Sequence, residues 1–370
     1  MSKSKSAVNV IKLVAAMSLA GLLAACGGGD GGSAADTATG STPGTGTTQP
    51  QQQPIDPYTG SAAAGTPTAQ ISGSVVSGRT AAATVTAYLV NPDGSNGASI
   101  GQTTTDATGA YSMTLSQTPL GMIRLVATGG TFTSEADNST QKNVALQLVA
   151  PYVTTSLSNF VITPVTHLAS TRFTYLASKG GQTLASAYTT ASSAVLQLVT
   201  GNDVIAGSNR SHGGVDYLGI VPGSAQDTFN AYSDALTAIE YYGVQHDLPS
   251  HVVVRLLSTS SDTGTPKQVD ANGQAIPVGA WVGTTFDEAQ PVTLAQLSNA
   301  APAPDVLSIV MAMNAVQACT SGDHTGYYQR FPLAAGQTDY LNTAGCTAYT
   351  NNLNAIKAKV NTNNRAKYVS

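Results

Sequence analysis

From about Ala69 to Leu148 the chain alternates apolar and polar residues with period two. Ile71, Gly73 and Val75 alternate with small polar residues, and Val85, Ala87 and Leu89 alternate with Thr84, Thr86 and Tyr88. Met113 and Leu115, then Ile123, Leu125 and Ala127, then the run Val144 to Leu148 continue the pattern. Asn91-Pro92-Asp93-Gly94, Asp106-Ala107-Thr108-Gly109 and Gly129-Gly130 punctuate it as turns. Short alternating strands with turns at this spacing predict a β-sandwich of about 80 residues. From about Thr163 the period becomes 3.6. Thr163-Pro164 is an N-cap and first-turn pair, and Val165, Leu168, Ala169, Arg172 and Leu176 recur at helical spacing. Further helices are predicted on the faces of Leu184 to Leu198 and of Phe229, Tyr232, Leu236 and Ile239. Another is expected to start at Asp247-Leu248-Pro249 and run through Leu257, and a fifth to start at Pro304-Asp305. The last begins at about Thr343, with Cys346, Tyr349, Leu353, Ile356 and Val360 on one stripe. Residues 264–302 lack helical period and read as a long loop, with a small hairpin around Ala275–Gly283.

The N-terminal residues fit neither pattern. Lys3, Lys5 and Lys12 precede an apolar run, Leu13 to Ala25, that is too short to span a membrane comfortably. It ends in Leu23-Ala24-Ala25-Cys26, which resembles the lipobox of bacterial lipoproteins. The resemblance implies a signal peptide over residues 1–25, cut before Cys26, and a lipidated Cys26. An ordinary signal peptide with an incidental cysteine is the alternative. Several acyl chains on one residue anchor stably, since each buried methylene adds about 0.8 kcal/mol. Glycine rather than aspartate at position 27 implies the outer membrane in that family. Residues 27–67 are rich in Gly, Ser, Thr, Pro and Gln, cannot bury a core, and read as a disordered tether spanning roughly 35 Å.

Charge narrows the partners. The chain carries 16 Lys and Arg against 20 Asp and Glu, and loss of Lys3, Lys5 and Lys12 takes the net charge from −4 to −7. Nothing basic enough to hold nucleic acid remains. Export changes the reading of the two other cysteines, Cys319 and Cys346. An oxidising compartment favours a disulfide between them, and free thiols or a redox pair are the alternative, without a C-x-x-C pattern.

Within the alternating region, Thr105-Asp106-Ala107-Thr108-Gly109-Ala110-Tyr111 resembles the T-D-x-x-G-x-[FY] hairpin of carboxypeptidase regulatory-like, transthyretin-like sandwiches. Asp106 is expected to accept from its own turn, Gly109 to supply a positive φ, and Tyr111 to point into the core. A generic immunoglobulin-like sandwich is the alternative. Val161 to Ala169 is similar to the opening of a helical region that follows such a sandwich in poorly characterised proteobacterial surface lipoproteins. Those relatives often carry a D-G-x-x-D-G loop, from which Asp262-Thr263-Gly264 and Asp270-Ala271-Asn272-Gly273 depart. The expected fold is therefore multidomain: a β-sandwich at 68–150, then a mainly α-helical domain at 160–370, after the signal at 1–25 and the lipidated cysteine and linker at 26–67.

Candidate chemistry is sparse. There is no H-E-x-x-H or P-loop, and the G-x-S-x-G string Gly97-Ala98-Ser99-Ile100-Gly101 lies within the alternating strand region and not at a strand-to-helix turn, so it makes no nucleophile elbow. His246 and His251 lie five residues apart, which does not place both on one helical face. Asp270-Ala271-Asn272-Gly273 has donors like a calcium loop, but the position of the closing glutamate is Trp281. No metal or cofactor is expected. Any ligand site is sought between the loop at 264–302 and the Tyr-rich segment 324–340. The reading that results is a non-catalytic binding or structural protein of the cell envelope. It would be anchored to a membrane and partnered by an envelope polymer or protein. An exported hydrolase with dispersed catalytic residues is the alternative.

Overall fold

The computed structural model describes residues 69–143, 145–152, 160–178, 181–200, 221–223, 231–260, 280–282, 285–287 and 302–361. A β-rich region is followed by helices. The strands are β1 (Gln70–Val75), β2 (Thr84–Val90), β3 (Asn96–Thr104), β4 (Ala110–Thr114), β5 (Met122–Thr128), β6 (Thr131–Thr133), β7 (Thr140–Lys142), β8 (Leu146–Pro151) and β9 (Phe160–Ile162). One sheet has the order β4-β1-β9 and another the order β3-β2-β5-β8, while β6 and β7 form a hairpin. Ile71, Val75, Tyr111 and Met113 from the first sheet share a buried cluster with Val85, Ala87, Leu125 and Leu148 from the second. The alternation places these residues there, since every second side chain of a strand faces the same way.

β9 pairs parallel with β1, Gly73 lying opposite Phe160, while β4 pairs antiparallel on the other side, Gly73 lying opposite Tyr111. The Tyr111 hydroxyl donates to the Phe160 carbonyl at 2.7 Å. A Cβ at position 73 would overlap that same carbonyl oxygen, so only glycine lets the three strands close. Gly73→Ala is expected to push β9 away and destabilise the fold by about 1–3 kcal/mol. Urea unfolding that matched wild type would show that β9 relaxes freely.

Helix α1 (Pro164–Ser178) starts on a reciprocal cap: the Thr166 N–H donates to the Thr163 hydroxyl oxygen at 3.1 Å, and the Thr163 N–H donates to the Thr166 oxygen at 2.8 Å. The Thr166 hydroxyl then donates to the Gln147 carbonyl at 2.9 Å, and the Val149 N–H donates to Ser170 at 2.9 Å, which ties α1 to β8. Buried Arg124 of β5 donates to the Gly94 carbonyl at 2.9 Å, to Asn96 at 2.7 Å and to Thr174 of α1 at 2.6 Å. Among the described residues no carboxylate pairs with it, and burial lowers its pKa to about 10.

The other helices are α2 (Leu184–Thr200), α3 (Ala231–His246), α4 (Ser250–Ser260), α5 (Pro302–Ser321), α6 (His324–Arg330) and α7 (Thr343–Lys357), and a 3₁₀ turn spans Ala358–Asn361. Short strands β10 (Ala280–Val282) and β11 (Thr285–Asp287) pair antiparallel. The buried cluster of the sheets continues through Val165, Tyr232, Ile239, Val252, Val310 and Leu353, so strands and helices share one core.

Two expectations shift. The fourth helix begins at Ser250 and not at Asp247, because Asp247 takes a left-handed φ of 54° and terminates α3 instead. Pro249 accepts the first N–H bonds of α4, from Val252 at 3.0 Å and Val253 at 3.2 Å. The hairpin expected around Ala275–Gly283 has its strands at Ala280–Val282 and Thr285–Asp287.

Candidate functional site

The site develops at the end of α5. Gly322 takes a positive φ of 76° and its N–H donates to the Ala318 carbonyl at 2.8 Å, which stops the helix. Asp323 caps α6 by accepting from the Gly326 N–H at 2.9 Å. The chain thereby folds α6 back against α5 and carries Arg330 over Asn314. Arg330 is 1% exposed. Its Nη1 donates to Asp234 of α3 at 2.9 Å and to the Asn314 side-chain oxygen at 2.7 Å. The Asn314 amide closes the triangle by donating to the same Asp234 oxygen at 2.7 Å. Three helices are thus pinned by one ion pair and one amide. The guanidinium carbon also lies 5.0 Å from the centre of the Phe331 ring.

Beside this triangle is a small open pocket of about 90 Å³, lined by Asn314, Gln317, Ser321, Asp323, Tyr327 and Arg330. A tyrosine layer adjoins it. The Tyr327 and Tyr340 hydroxyls are 3.0 Å apart, and the rings of Tyr327, Tyr328 and Tyr340 meet edge to face. The Tyr328 hydroxyl donates to Asp339 at 2.5 Å and accepts from the Tyr340 N–H at 3.1 Å. Asp339 is held below the usual carboxylate range, first by Tyr328, then by the Leu341 N–H. His324 Nδ1 lies 3.4 Å from Asp339. Among the described residues no serine, threonine or cysteine side chain bonds His324.

The structure brings together part of what the sequence singled out. Cys319 of α5 and Cys346 of α7 form a disulfide, with Cα atoms 5.8 Å apart. Cys319 adjoins Ala318 on the helix that walls the pocket. Tyr327 and Asp323 belong to the Tyr-rich stretch or its edge, whereas most of the loop expected to face it, 264–302, lies outside the described residues. So do Cys26 and Asp270–Gly273. The turn at Asp106 bonds only within the β-rich region. Asp106 accepts from the Thr108 N–H at 2.7 Å, its hydroxyl at 2.7 Å, and the Ala110 N–H at 3.0 Å. These bonds, the Thr108 hydroxyl first, lower the Asp106 pKa. Gly109 has a φ of 81° and Tyr111 is buried.

Among the described residues no group of three or more His, Cys, Asp or Glu is placed to hold a metal. His251 is buried at the start of α4, and the neighbouring Ser250 hydroxyl donates to buried Glu240 at 2.5 Å. His246 stacks on Tyr242 with ring centres 4.3 Å apart. The sequence reading missed Asp234, Asn314 and Arg330. A faint signal existed: Asn314 interrupts the apolar run from Ile309 to Val316, and Arg330 stands between tyrosines and Phe331.

Two histidines give the fold an acid limit. Burial lowers His167 to about 4, helped by the Arg124 charge, and lowers His246 to about 4, helped by Lys359. The His167 Nδ1 is buried without a hydrogen-bond partner. The folded chain keeps both rings neutral, while the unfolded chain protonates them near their ordinary value of about 6.5. More protons therefore bind the unfolded state between these values, and stability falls as pH drops from about 6.5 to about 4. The slope approaches about 1.4 kcal/mol per pH unit for each ring. Urea midpoints measured across this range should show the decline, and His167→Gln with His246→Gln should flatten it. An unchanged slope in the double variant would place the acid sensitivity elsewhere.

Compared with protein-family models, curated proteins and solved structures, the chain matches none of them.

Proposed function

We propose that this chain is an exported lipoprotein whose lipidated Cys26 anchors it in the cell envelope, with the outer membrane as its address. Residues 27–67 tether a folded body in which a carboxypeptidase regulatory-like sandwich precedes a helical domain. That domain binds an envelope polymer or protein partner and performs no catalysis.

The observation that carries this reading is the disposition of the three cysteines. Cys319 and Cys346 are joined to each other, which suits an oxidising compartment. That leaves Cys26, the cysteine of the Leu-Ala-Ala-Cys segment, outside this disulfide, and its thiol is the one we assign to acylation. Among the described residues no helix is long and apolar enough to cross a membrane, so attachment would rest on the lipid. The β-rich region supports the sandwich assignment through the Asp106 turn, the positive φ of Gly109 and the inward Tyr111.

Labelled palmitate should enter the wild-type chain and be absent from Cys26→Ser, which should also leave the membrane fraction. Equal labelling of both, or a mature protein that starts elsewhere with a bare thiol at position 26, would overturn the anchor. The binding role is checked separately. A screen across ester, peptide and glycoside substrates should be blank, and a turnover abolished by His324→Ala would establish an enzyme instead.

A further inference from the structure

We propose that the pocket between α5 and α6 takes the hydroxylated edge of a neutral sugar. This names a ligand class for the binding role above, and rests on that reading only in placing the sugar in the envelope. The first ground is charge. Arg330, the buried cation among the described lining residues, is already matched by Asp234 at 2.9 Å and by Asn314 at 2.7 Å. The floor is therefore neutral and gives an anionic ligand no unmet charge to answer. Asp323, the acidic group at the mouth, already accepts from the Gly326 N–H at 2.9 Å.

The second ground is the pattern of donors and acceptors. Gln317 and Ala318 lie three and four residues after Asn314 on α5, and Ser321 lies four and three residues after them, so the four share one helix face. The exposed Gln317 side chain presents an amide oxygen that accepts and an amide nitrogen that donates, while the Ser321 hydroxyl beside it already accepts from the Asp323 N–H at 3.2 Å and donates to the Ala318 carbonyl at 3.4 Å, so the Gln317 amide carries the match. Adjacent sugar hydroxyls are also donor and acceptor at once, so they match the two ends of that amide. A bare ammonium offers only donors and a carboxylate only acceptors.

The third ground is size. One water needs on the order of 10–15 Å³ of such space. The pocket, at about 90 Å³ and open on one side, holds one edge of a ring and leaves the rest of a saccharide outside. Tyr327 supplies an apolar wall against which ring C–H groups can lie.

The test uses the full chain in a polyoxyethylene detergent, which carries no sugar. Saturation-transfer NMR is recorded with glucose, galactose, N-acetylglucosamine and maltotriose, and with glucosamine and glucuronate as charged probes. Transfer to at least one neutral sugar is expected. Gln317→Ala should weaken it by up to about tenfold, the worth of a neutral hydrogen bond or two. Gln317→Trp should abolish it by filling the mouth. Gln317 is exposed, and unchanged circular dichroism confirms that each variant folds. Maltotriose binding more tightly than glucose assigns the site to a glycan chain, and equal binding assigns it to a free sugar; both support the proposal. No transfer from any neutral sugar, transfer that survives Gln317→Trp, or binding of glucosamine or glucuronate alone would overturn it. None of these results depends on acylation of Cys26, so loss of the anchor and loss of the sugar site are read independently.

Discussion

Asp234→Ala is expected to destabilise the protein by about 3–5 kcal/mol, the largest effect of any single side chain considered. Arg330 is 1% exposed, and Asp234 is its carboxylate at 2.9 Å. Alanine would leave a guanidinium out of water without its counter-charge. The same change removes the acceptor of the Asn314 amide, at 2.7 Å, so a buried guanidinium and a half-buried amide lose one oxygen. The loss measures the break and not the worth of the pair, because the intact ion pair also carries a desolvation cost. Arg330→Met alone should likewise be damaging, since it strands Asp234. The double variant, Asp234→Leu with Arg330→Met, should be much milder than the sum of the singles, because an apolar pair leaves no charge to solvate. Urea unfolding of the two singles and the double reads this as a coupling energy. Additive losses, or a single-variant loss below about 1 kcal/mol, would show that water reaches the guanidinium after all.

Removing the disulfide is expected to cost about 3–4 kcal/mol in the chain-entropy account, for cysteines 27 residues apart. The loss should not be spread evenly. Helix α7 is held by Tyr349, Leu353 and Ile356, and is capped by Asn342, which accepts from the Ala344 N–H at 3.1 Å and the Gly345 N–H at 3.0 Å. Much of its remaining surface is exposed. With Cys319→Ser and Cys346→Ser, α7 should open before the core of α3 and α5. Hydrogen exchange should then rise first over residues 343–357, and the unfolding midpoint should drop. Tyr340 packs against Tyr349 with ring centres 6.4 Å apart, so the tyrosine layer should loosen with α7. Uniform acceleration across all helices would mean that the cystine restrains only the unfolded chain. No change in stability would mean that it restrains neither state.

Local chemistry was legible in the sequence, and long-range chemistry was not. The Asp106 turn is written within five residues, and every bond that Asp106 makes stays inside them. Helices α1, α5 and α7 carry their period openly, because each buries a stripe of Val, Leu, Ile or aromatic residues. The three-residue strands β6, β7 and β9 are too short to show alternation. Strand β9 exists as a strand only because β1, some ninety positions earlier, offers it a parallel edge. Helix α6, His-Thr-Gly-Tyr-Tyr-Gln-Arg, has two turns and no apolar period, so it read as a Tyr-rich segment. The Asp234–Asn314–Arg330 triangle was invisible for the same reason that it is strong: its members are 80, 96 and 16 residues apart and meet only after three helices have packed. Asp247 shows a different failure. Asp before Leu-Pro suggests a helix start, yet the left-handed backbone at that residue closes the preceding helix.

The position of β1 has a mechanical consequence. It is the first described strand and lies in the middle of its sheet, hydrogen-bonded to β4 on one flank and β9 on the other. Any force transmitted along the polypeptide from the N-terminal side therefore reaches the body through an inner strand. Traction along its axis would shear both rows of hydrogen bonds at once instead of unzipping them singly. A body leashed at that end and jostled by its surroundings would meet each tug with its most resistant seam.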